Sequence, residues 1–124
     1  MDRADVDTWV AAYERLWRTP GTDRLAEVFT DDVSYLTSPW AKPVTGIGAL
    51  AKFWEKERAS ADEPFTIRHT IVAVDGDTAV VRVEVEYEAT GDRWRDLWVI
   101  EFAADGRGRA FEEWPFAPRR RAGH

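Results

Sequence analysis

Hydrophobic residues in the first half of the chain recur at the spacing of a helix that buries one face. The first such stripe predicts a helix with Asp5 or Asp7 as its N-cap, ended by the breaker Thr19-Pro20-Gly21. A short second helix is predicted around Leu25 to Phe29, and a third from about Thr45 to Arg58. The stripe of the first helix consists of Val6, Trp9, Val10, Tyr13, Leu16 and Trp17.

A brief strand, 33–37, and a loop bracketed by Pro39 and Pro43 are predicted between the second and third helices. From Phe65 onward the period changes from helical to alternating, which is typical of strands with one buried face. Four strands are predicted, and Asp-Gly or Thr-Gly pairs between them favour hairpins. Their ranges are 65–74, 78–88, 93–103 and 108–116. Three helices followed by an antiparallel meander indicate an α+β fold.

The register of the meander decides which side chains share its inner face. A turn centred near Gly91 would place Val85 opposite Asp96 and Val83 opposite Trp98.

The last strand has two possible registers, because a shift of one residue exchanges the two faces. A three-residue loop at Asp105-Gly106 would put Glu112 and Trp114 inside, whereas a two-residue loop would put Phe111 and Glu113 there. Both alternatives remain open at this stage.

Length and composition indicate one soluble globular domain. The chain has 124 residues, of which 44% are hydrophobic and 32% charged. We expect the domain to occupy 1–118 and the basic end 119–124 to be disordered. The net charge of −6 argues against nucleic-acid binding. No apolar run is long enough to span a membrane and no signal segment begins the sequence, so a cytoplasmic location is expected.

The composition also limits the metal and cofactor chemistry of the chain. It has no cysteine, and His69 is the only histidine away from the C-terminal residue, so we expect no metal site. The stretch Gly46-x-Gly48-x-x-Ala51 matches a dinucleotide fingerprint but follows a proline-containing loop instead of a strand. We therefore expect no cofactor.

The order of predicted elements and five motifs resemble the nuclear-transport-factor-2-like superfamily, and most nearly its SnoaL-like branch. The motifs are Phe29-Thr30-Asp31-Asp32-Val33, Gly46-Ile47 to Phe53-Trp54, the turn Val74-Asp75-Gly76-Asp77, Trp94 to Ile100, and Phe111 to Phe116. The resemblance implies a cone-shaped fold, in which helices and a strongly curved antiparallel sheet enclose an apolar pocket. Similar proteins include ketosteroid isomerase, scytalone dehydratase, limonene epoxide hydrolase, polyketide cyclases and non-catalytic binding domains, so the fold alone does not assign a function.

Three titratable residues are candidates for catalysis. Asp96 lies between Trp94 and Trp98, where loss of water would raise the pKa of its carboxyl and make it a general base; a structural partnership with an arginine or tyrosine is the alternative. His69 is in phase with the apolar positions of its strand, and scytalone dehydratase is similar in placing a histidine there. Glu112 would be a second inner carboxyl in one of the two registers.

Aromatic residues are the candidates for a substrate-binding wall, since seven tryptophans are unusual in so short a chain. Trp40, in the proline-bracketed loop, could cover the pocket mouth. The predicted wall comprises Tyr13, Trp17, Tyr35, Trp40, Trp54, Val83, Tyr87, Trp98 and Trp114.

These observations predict a protein that binds a small, mostly apolar, oxygenated molecule and carries out cofactor-free acid–base chemistry of isomerase, dehydratase or cyclase type. Epoxide hydrolysis is disfavoured, because the arginine that limonene epoxide hydrolase needs two residues before the strand aspartate is Trp94 here. A non-catalytic ligand-binding or protein-association domain is the alternative. We also expect a homodimer packed through the outer sheet face, where Leu97, Val99 and Phe111 stand among charged residues.

Overall fold

The first predicted helix forms, but its cap lies before the predicted positions. In the computed structural model, which describes residues 1–58 and 63–118, helix α1 spans Arg3–Trp17. Its N-cap is Asp2, whose carboxylate accepts from the Asp5 N–H at 2.8 Å, while Asp5 accepts in return from the Asp2 N–H at 3.1 Å. This reciprocal capping box satisfies two N–H groups that a helix start leaves unpaired.

The predicted second helix is wrong, because only a single 3₁₀ turn, Leu25–Glu27, forms there. The Val28 carbonyl accepts instead from the Gly108 N–H at 2.7 Å and from the Trp9 indole N–H at 3.0 Å. These long-range bonds turn the chain into a strand where a short helix would be costly to nucleate. The predicted third helix becomes α2, Ile47–Glu57, so the described chain has two α-helices.

One six-stranded sheet, curved and mostly antiparallel, faces the helices. The predicted meander is confirmed, and each boundary of its four strands lies within one residue of the predicted position. The brief strand predicted at 33–37 is longer, because it begins at Phe29. The order along the sheet is β2-β1-β6-β5-β4-β3, and β1 runs parallel to β6. The strands are β1 Phe29–Leu36, β2 Val44–Thr45, β3 Phe65–Asp75, β4 Thr78–Tyr87, β5 Arg93–Phe102 and β6 Gly108–Phe116.

The register between β4 and β5 differs by two residues from the predicted one. Asp96 pairs with Val83, and Trp98 pairs with Val81. The turn is centred before Gly91, since the Tyr87 N–H donates to the Asp92 carbonyl at 2.9 Å. A shift of two residues leaves every side chain on its predicted face.

A bulge at the start of β6 selects between the two registers that the sequence left open. Glu101 pairs with Ala110 while Phe102 pairs with Gly108, so Arg109 is an extra residue in β6. From this point onward the odd-numbered residues of β6 face inward. Phe111 and Glu113 are therefore inside, whereas Glu112 and Trp114 lie on the outer face, contrary to their predicted place in the pocket.

The core fills one end of the space between the helices and the sheet. Trp9 lies at its centre, and its ring meets those of Phe29 and Phe102 edge-on at 5.6 Å. Gly108 lets β6 approach, since a Cβ at that position would lie 3.1 Å from the Trp9 ring. The opposite end of this space remains open.

Neither α1 nor α2, the two α-helices of the described chain, has the length and apolar character needed to cross a bilayer. The predicted disordered tail, 119–124, lies outside the described residues.

Candidate active site

The open end of the fold holds a cavity of about 440 Å³ between α1, α2 and the inner sheet face. Its wall is aromatic, and its titratable lining groups other than tyrosine are four carboxyls. No arginine, lysine or histidine is among the described residues that line it. The carboxyls belong to Glu14, Glu57, Asp96 and Glu113, and the aromatic rings to Tyr13, Trp17, Tyr35, Phe53, Phe65, Tyr87, Trp94 and Trp98.

Asp96 and Glu113 are diagonal neighbours on adjacent strands. Glu113 pairs with Trp98, and Asp96 lies two residues before Trp98 on the same face of β5. Asp96 is only 6% exposed, and its Oδ1 atom has no hydrogen-bond partner among the described residues. Burial raises the pKa of Asp96, while the neighbouring Glu113 carboxyl and Trp98 indole oppose that rise.

Glu113 is the member of this pair that keeps its proton to higher pH. Burial raises the pKa of Glu113 well above its ordinary value, and the neighbouring Asp96 carboxylate raises it further. Two carboxylates so close together cannot both ionise readily, since each charge disfavours the other. Asp96 therefore ionises first and Glu113 remains a neutral hydrogen-bond donor beside it. The pair combines a base and an acid in one dry site.

A pair of tyrosine hydroxyls lies near these carboxyls. The Tyr13 and Tyr35 oxygens are 3.0 Å apart and both residues are buried. Both rings stack on Phe111, with centroids 5.6 and 4.7 Å away. Burial raises the pKa of both hydroxyls, and the charges that Glu113 and Asp96 carry at high pH add to this effect. Both tyrosines thus remain protonated donors at neutral pH.

Five residues of the predicted wall line the cavity, and four do not. Trp54 is buried beneath the cavity, with its ring 5.2 Å from that of Tyr13. Val83 is fully buried beside Asp96, and Trp40 is 99% exposed. Trp114 lies on the outer face, where its indole N–H donates to Glu112. The five lining residues are Tyr13, Trp17, Tyr35, Tyr87 and Trp98.

Two of the three predicted catalytic residues do not lie at the cavity. His69 is on the inner face, but its Nε2 atom contacts the Asp7 carboxylate of α1 at 2.7 Å, and Val83 lies between His69 and Asp96 in the sheet. Glu112 faces outward. The structure thus brings Asp96 together with Glu113. The sequence predicted an inward-facing Glu113 only in the alternative register of the last strand.

The chain shows no metal-binding cluster within residues 1–58 and 63–118, because no three histidine, aspartate or glutamate side chains converge there. The cavity instead offers paired carboxyls, neutral hydroxyls and aromatic faces. This donor set suits proton transfer to and from an organic molecule.

Comparison with known proteins agrees with this architecture. No curated protein matches the chain. Among solved structures, the chain is similar to an epoxide hydrolase/cyclase-like enzyme, SalBIII, described as acting in pyran ring formation in the polyether salinomycin, with 17% identity, 93% of each chain covered and a TM-score of 0.71. It is also similar to a protein from Sinorhizobium meliloti that is provisionally named a polyketide cyclase. The two share 23% identity, with 88% of this chain and 97% of that one covered and a TM-score of 0.66.

A third similar structure is that of a protein from Kribbella flavida named, again with reservation, a ketosteroid isomerase. It shares 16% identity, with 98% of this chain and 83% of that one covered and a TM-score of 0.64. At these identities the structures establish the fold only. The family profile described as a SnoaL-like domain matches residues 8–111, which is most of the sequence. This chain therefore belongs to the SnoaL-like family, which its order of elements and motifs predicted.

Proposed function

We propose that this protein binds a small, mostly apolar, oxygenated molecule in the cavity and catalyses cofactor-free acid–base chemistry on it, of isomerase, dehydratase or cyclase type. The observation that carries the proposal is the contact between Asp96 and Glu113 inside an aromatic cavity. A carboxylate and a carboxylic acid whose environments separate their pKa values are a recurring basis for acid and base roles in one site.

Asp96 is the proposed general base. Its carboxylate lines the cavity and accepts a proton from the carbon beside a substrate carbonyl. The electron pair of that C–H bond moves to the carbonyl and forms an enolate. Asp96 then returns the proton to a different carbon in an isomerisation.

Glu113 is the proposed acid, in place of His69. As Asp96 takes up the substrate proton, the Glu113 O–H turns from Asp96 and donates a hydrogen bond to the developing enolate oxygen, and the hydroxyls of Tyr13 and Tyr35 extend this set of donors. In a dehydration the Glu113 proton passes to the departing hydroxyl, which leaves as water. His69 has a structural role in this proposal, because its ring joins β3 to α1 through Asp7.

Exchange of the α-protons of 2-tetralone in D2O, followed by NMR, tests this proposal without knowledge of the natural substrate. We expect the protein to accelerate exchange, and Asp96→Asn and Glu113→Gln each to lower the rate by about a hundredfold or more. Glu112→Gln is the matched control, since it changes the next residue on the opposite face. Exchange no faster than in buffer, or equal rates in Asp96→Asn and the unmodified protein, would favour the non-catalytic binding domain instead.

We also propose that the protein is a homodimer packed through the outer sheet face. Trp114 and Phe116 are 39% and 43% exposed there, next to half-buried Leu97 and Val99. Phe111, predicted to belong to this face, is buried on the inner one. Light scattering at micromolar concentration tests the dimer, and Leu97→Arg is expected to give monomers. A monomer without any substitution would contradict the proposal.

A further inference from the structure

The charge of the cavity lining has one sign. Glu14, Glu57, Asp96 and Glu113 line it, and the described part of the chain contributes no basic side chain to the lining. An anionic ligand would have to lose its hydration and would then meet carboxyl groups, hydroxyl groups and apolar side chains, without a basic side chain in the described lining to balance its charge. Both effects oppose the entry of a carboxylate or a phosphate.

The mouth of the cavity has one carboxylate whose charge is balanced and one whose charge is not. Glu14 accepts from Arg18 Nε at 2.9 Å. Glu57 is exposed and has no ion-pair partner among the described residues. Its negative charge is therefore available to a ligand that enters between α1 and the sheet.

The depth of the cavity offers a buried acceptor as a second, independent feature. Asp96 is 6% exposed and lines the cavity, and its Oδ1 atom lacks a hydrogen-bond partner among the described residues. Buried polar atoms of folded proteins nearly always have a partner. A ligand that carries N–H donors would give this carboxylate, which lines the cavity, a hydrogen-bond partner.

The aromatic wall completes the site, because ring faces carry negative electrostatic potential and attract cations. Phe65, which lines the cavity, already shows this property. The Arg18 guanidinium lies 3.8 Å from the centroid of its ring. Rings such as those of Trp17, Trp94 and Tyr87 present further faces to the cavity.

From these observations we infer that the ligand of this cavity carries a protonated primary or secondary amine on an apolar, oxygenated framework, and that the site excludes carboxylates and phosphates. The charges of both Asp96 and Glu57 would attract the ammonium, which would pack against the aromatic faces. The inference rests on the proposed function, because it assumes that the ligand binds in this cavity. It adds that molecules of the substrate class carry a positive charge.

Three probes of similar size and different charge test the inference: 2-phenylethylammonium, 2-phenylethanol and 3-phenylpropionate. Ligands with so few atoms are expected to bind with Kd of about 1 mM, which calorimetry or tryptophan fluorescence can follow. We expect the ammonium to bind about tenfold more tightly than the carboxylate, with the alcohol between them. Equal or tighter binding of the carboxylate would overturn the inference, as would the absence of saturable binding of the ammonium at about 10 mM.

Single-residue variants locate the preference in this cavity. Glu57→Gln is expected to weaken ammonium binding about twofold to fivefold and to leave the alcohol unaffected, because an exposed charge contributes modestly. Glu86→Gln, an exposed carboxylate on the outer face, is the matched control and is expected to change neither. An ammonium-to-alcohol ratio that is the same in Glu57→Gln and Glu86→Gln would contradict the inference.

Binding and turnover are separate measurements, so the two proposals can fail independently. Ammonium preference without Asp96-dependent exchange of 2-tetralone would support the ligand class and reject the catalytic proposal. Asp96-dependent exchange combined with a preference for the carboxylate probe would do the reverse.

Discussion

Replacement of Glu113 by Gln is expected to stabilise the protein increasingly as the pH rises. Gln keeps the size of the side chain and a hydrogen-bond donor for Asp96, but it has no proton to lose. Burial raises the pKa of Glu113 well above its ordinary value. The folded carboxyl therefore stays protonated at pH values where the same carboxyl in the unfolded chain has ionised.

The sign and size of this effect follow from proton linkage. Between the unfolded pKa of about 4.3 and the higher folded pKa, the folded state binds more protons than the unfolded state. The free energy of unfolding consequently falls as the pH rises, by about 1.4 kcal/mol for each pH unit of that interval. Glu113→Gln abolishes this loss. Each pH unit of that interval gives the variant an advantage of about 1.4 kcal/mol, or about 5 °C in Tm.

Urea unfolding at about pH 4 and about pH 8 measures the effect, since these values lie on either side of the ordinary carboxyl pKa. Buried Trp54 and Trp98 supply the fluorescence signal. Glu112→Gln, on the outer face, is the control and is expected to show no comparable gain. Asp96→Asn should change stability in the same direction as Glu113→Gln, because burial also raises the pKa of Asp96.

Two results would refute this reasoning. One is a pH dependence of Glu113→Gln that matches that of Glu112→Gln. The other is a loss of stability in Glu113→Gln at about pH 8, which would mean that an ionised Glu113 has a cationic partner in the folded protein.

Four further substitutions test interactions in other parts of the fold. Arg58→Ala is expected to lower the free energy of unfolding by about 1–3 kcal/mol in urea titrations, since Arg58 donates to the Thr19 and Gly21 carbonyls, among others, at 2.7 and 3.0 Å where α1 ends; an unchanged value would mean that water replaces these bonds. Gly108→Ala should lower the free energy of unfolding by about 1–3 kcal/mol, because the new Cβ would contact the Trp9 ring. Gly48→Ala should raise it by about 1 kcal/mol, because Gly48 lies in open space on helix α2. Equal changes of Tm in the two variants would contradict this contrast. Trp40→Ala should alter stability by less than about 0.5 kcal/mol, because this side chain is 99% exposed. A weaker affinity of this variant for 2-phenylethanol would show that Trp40 covers the cavity mouth, whereas an unchanged affinity would exclude this role.

The sequence alone predicted the elements whose folding signals are local. Helix α1 is read from a stripe of apolar residues within a few turns, and the β3 to β6 meander from alternating residues joined by short turns. The inward orientation of Asp96 was predicted for the same reason. An error of two residues in the turn near Gly91 leaves the faces of a strand unchanged, because side chains alternate with a period of two.

Only the tertiary structure decided the features that depend on contacts between distant segments. The parallel pairing of β1 with β6 and the loss of the second helix both involve the Val28 carbonyl. This carbonyl accepts hydrogen bonds from the Gly108 N–H and the Trp9 indole N–H, which are distant from it in the sequence. The same region contains the bulge at Arg109, which turns Glu113 inward and Glu112 outward. Two adjacent glutamates carry no local signal of which one faces the cavity, because the parity of a strand is set where its pairing begins. The pairing of β6 begins at Gly108, where the strand lies close to the Trp9 ring.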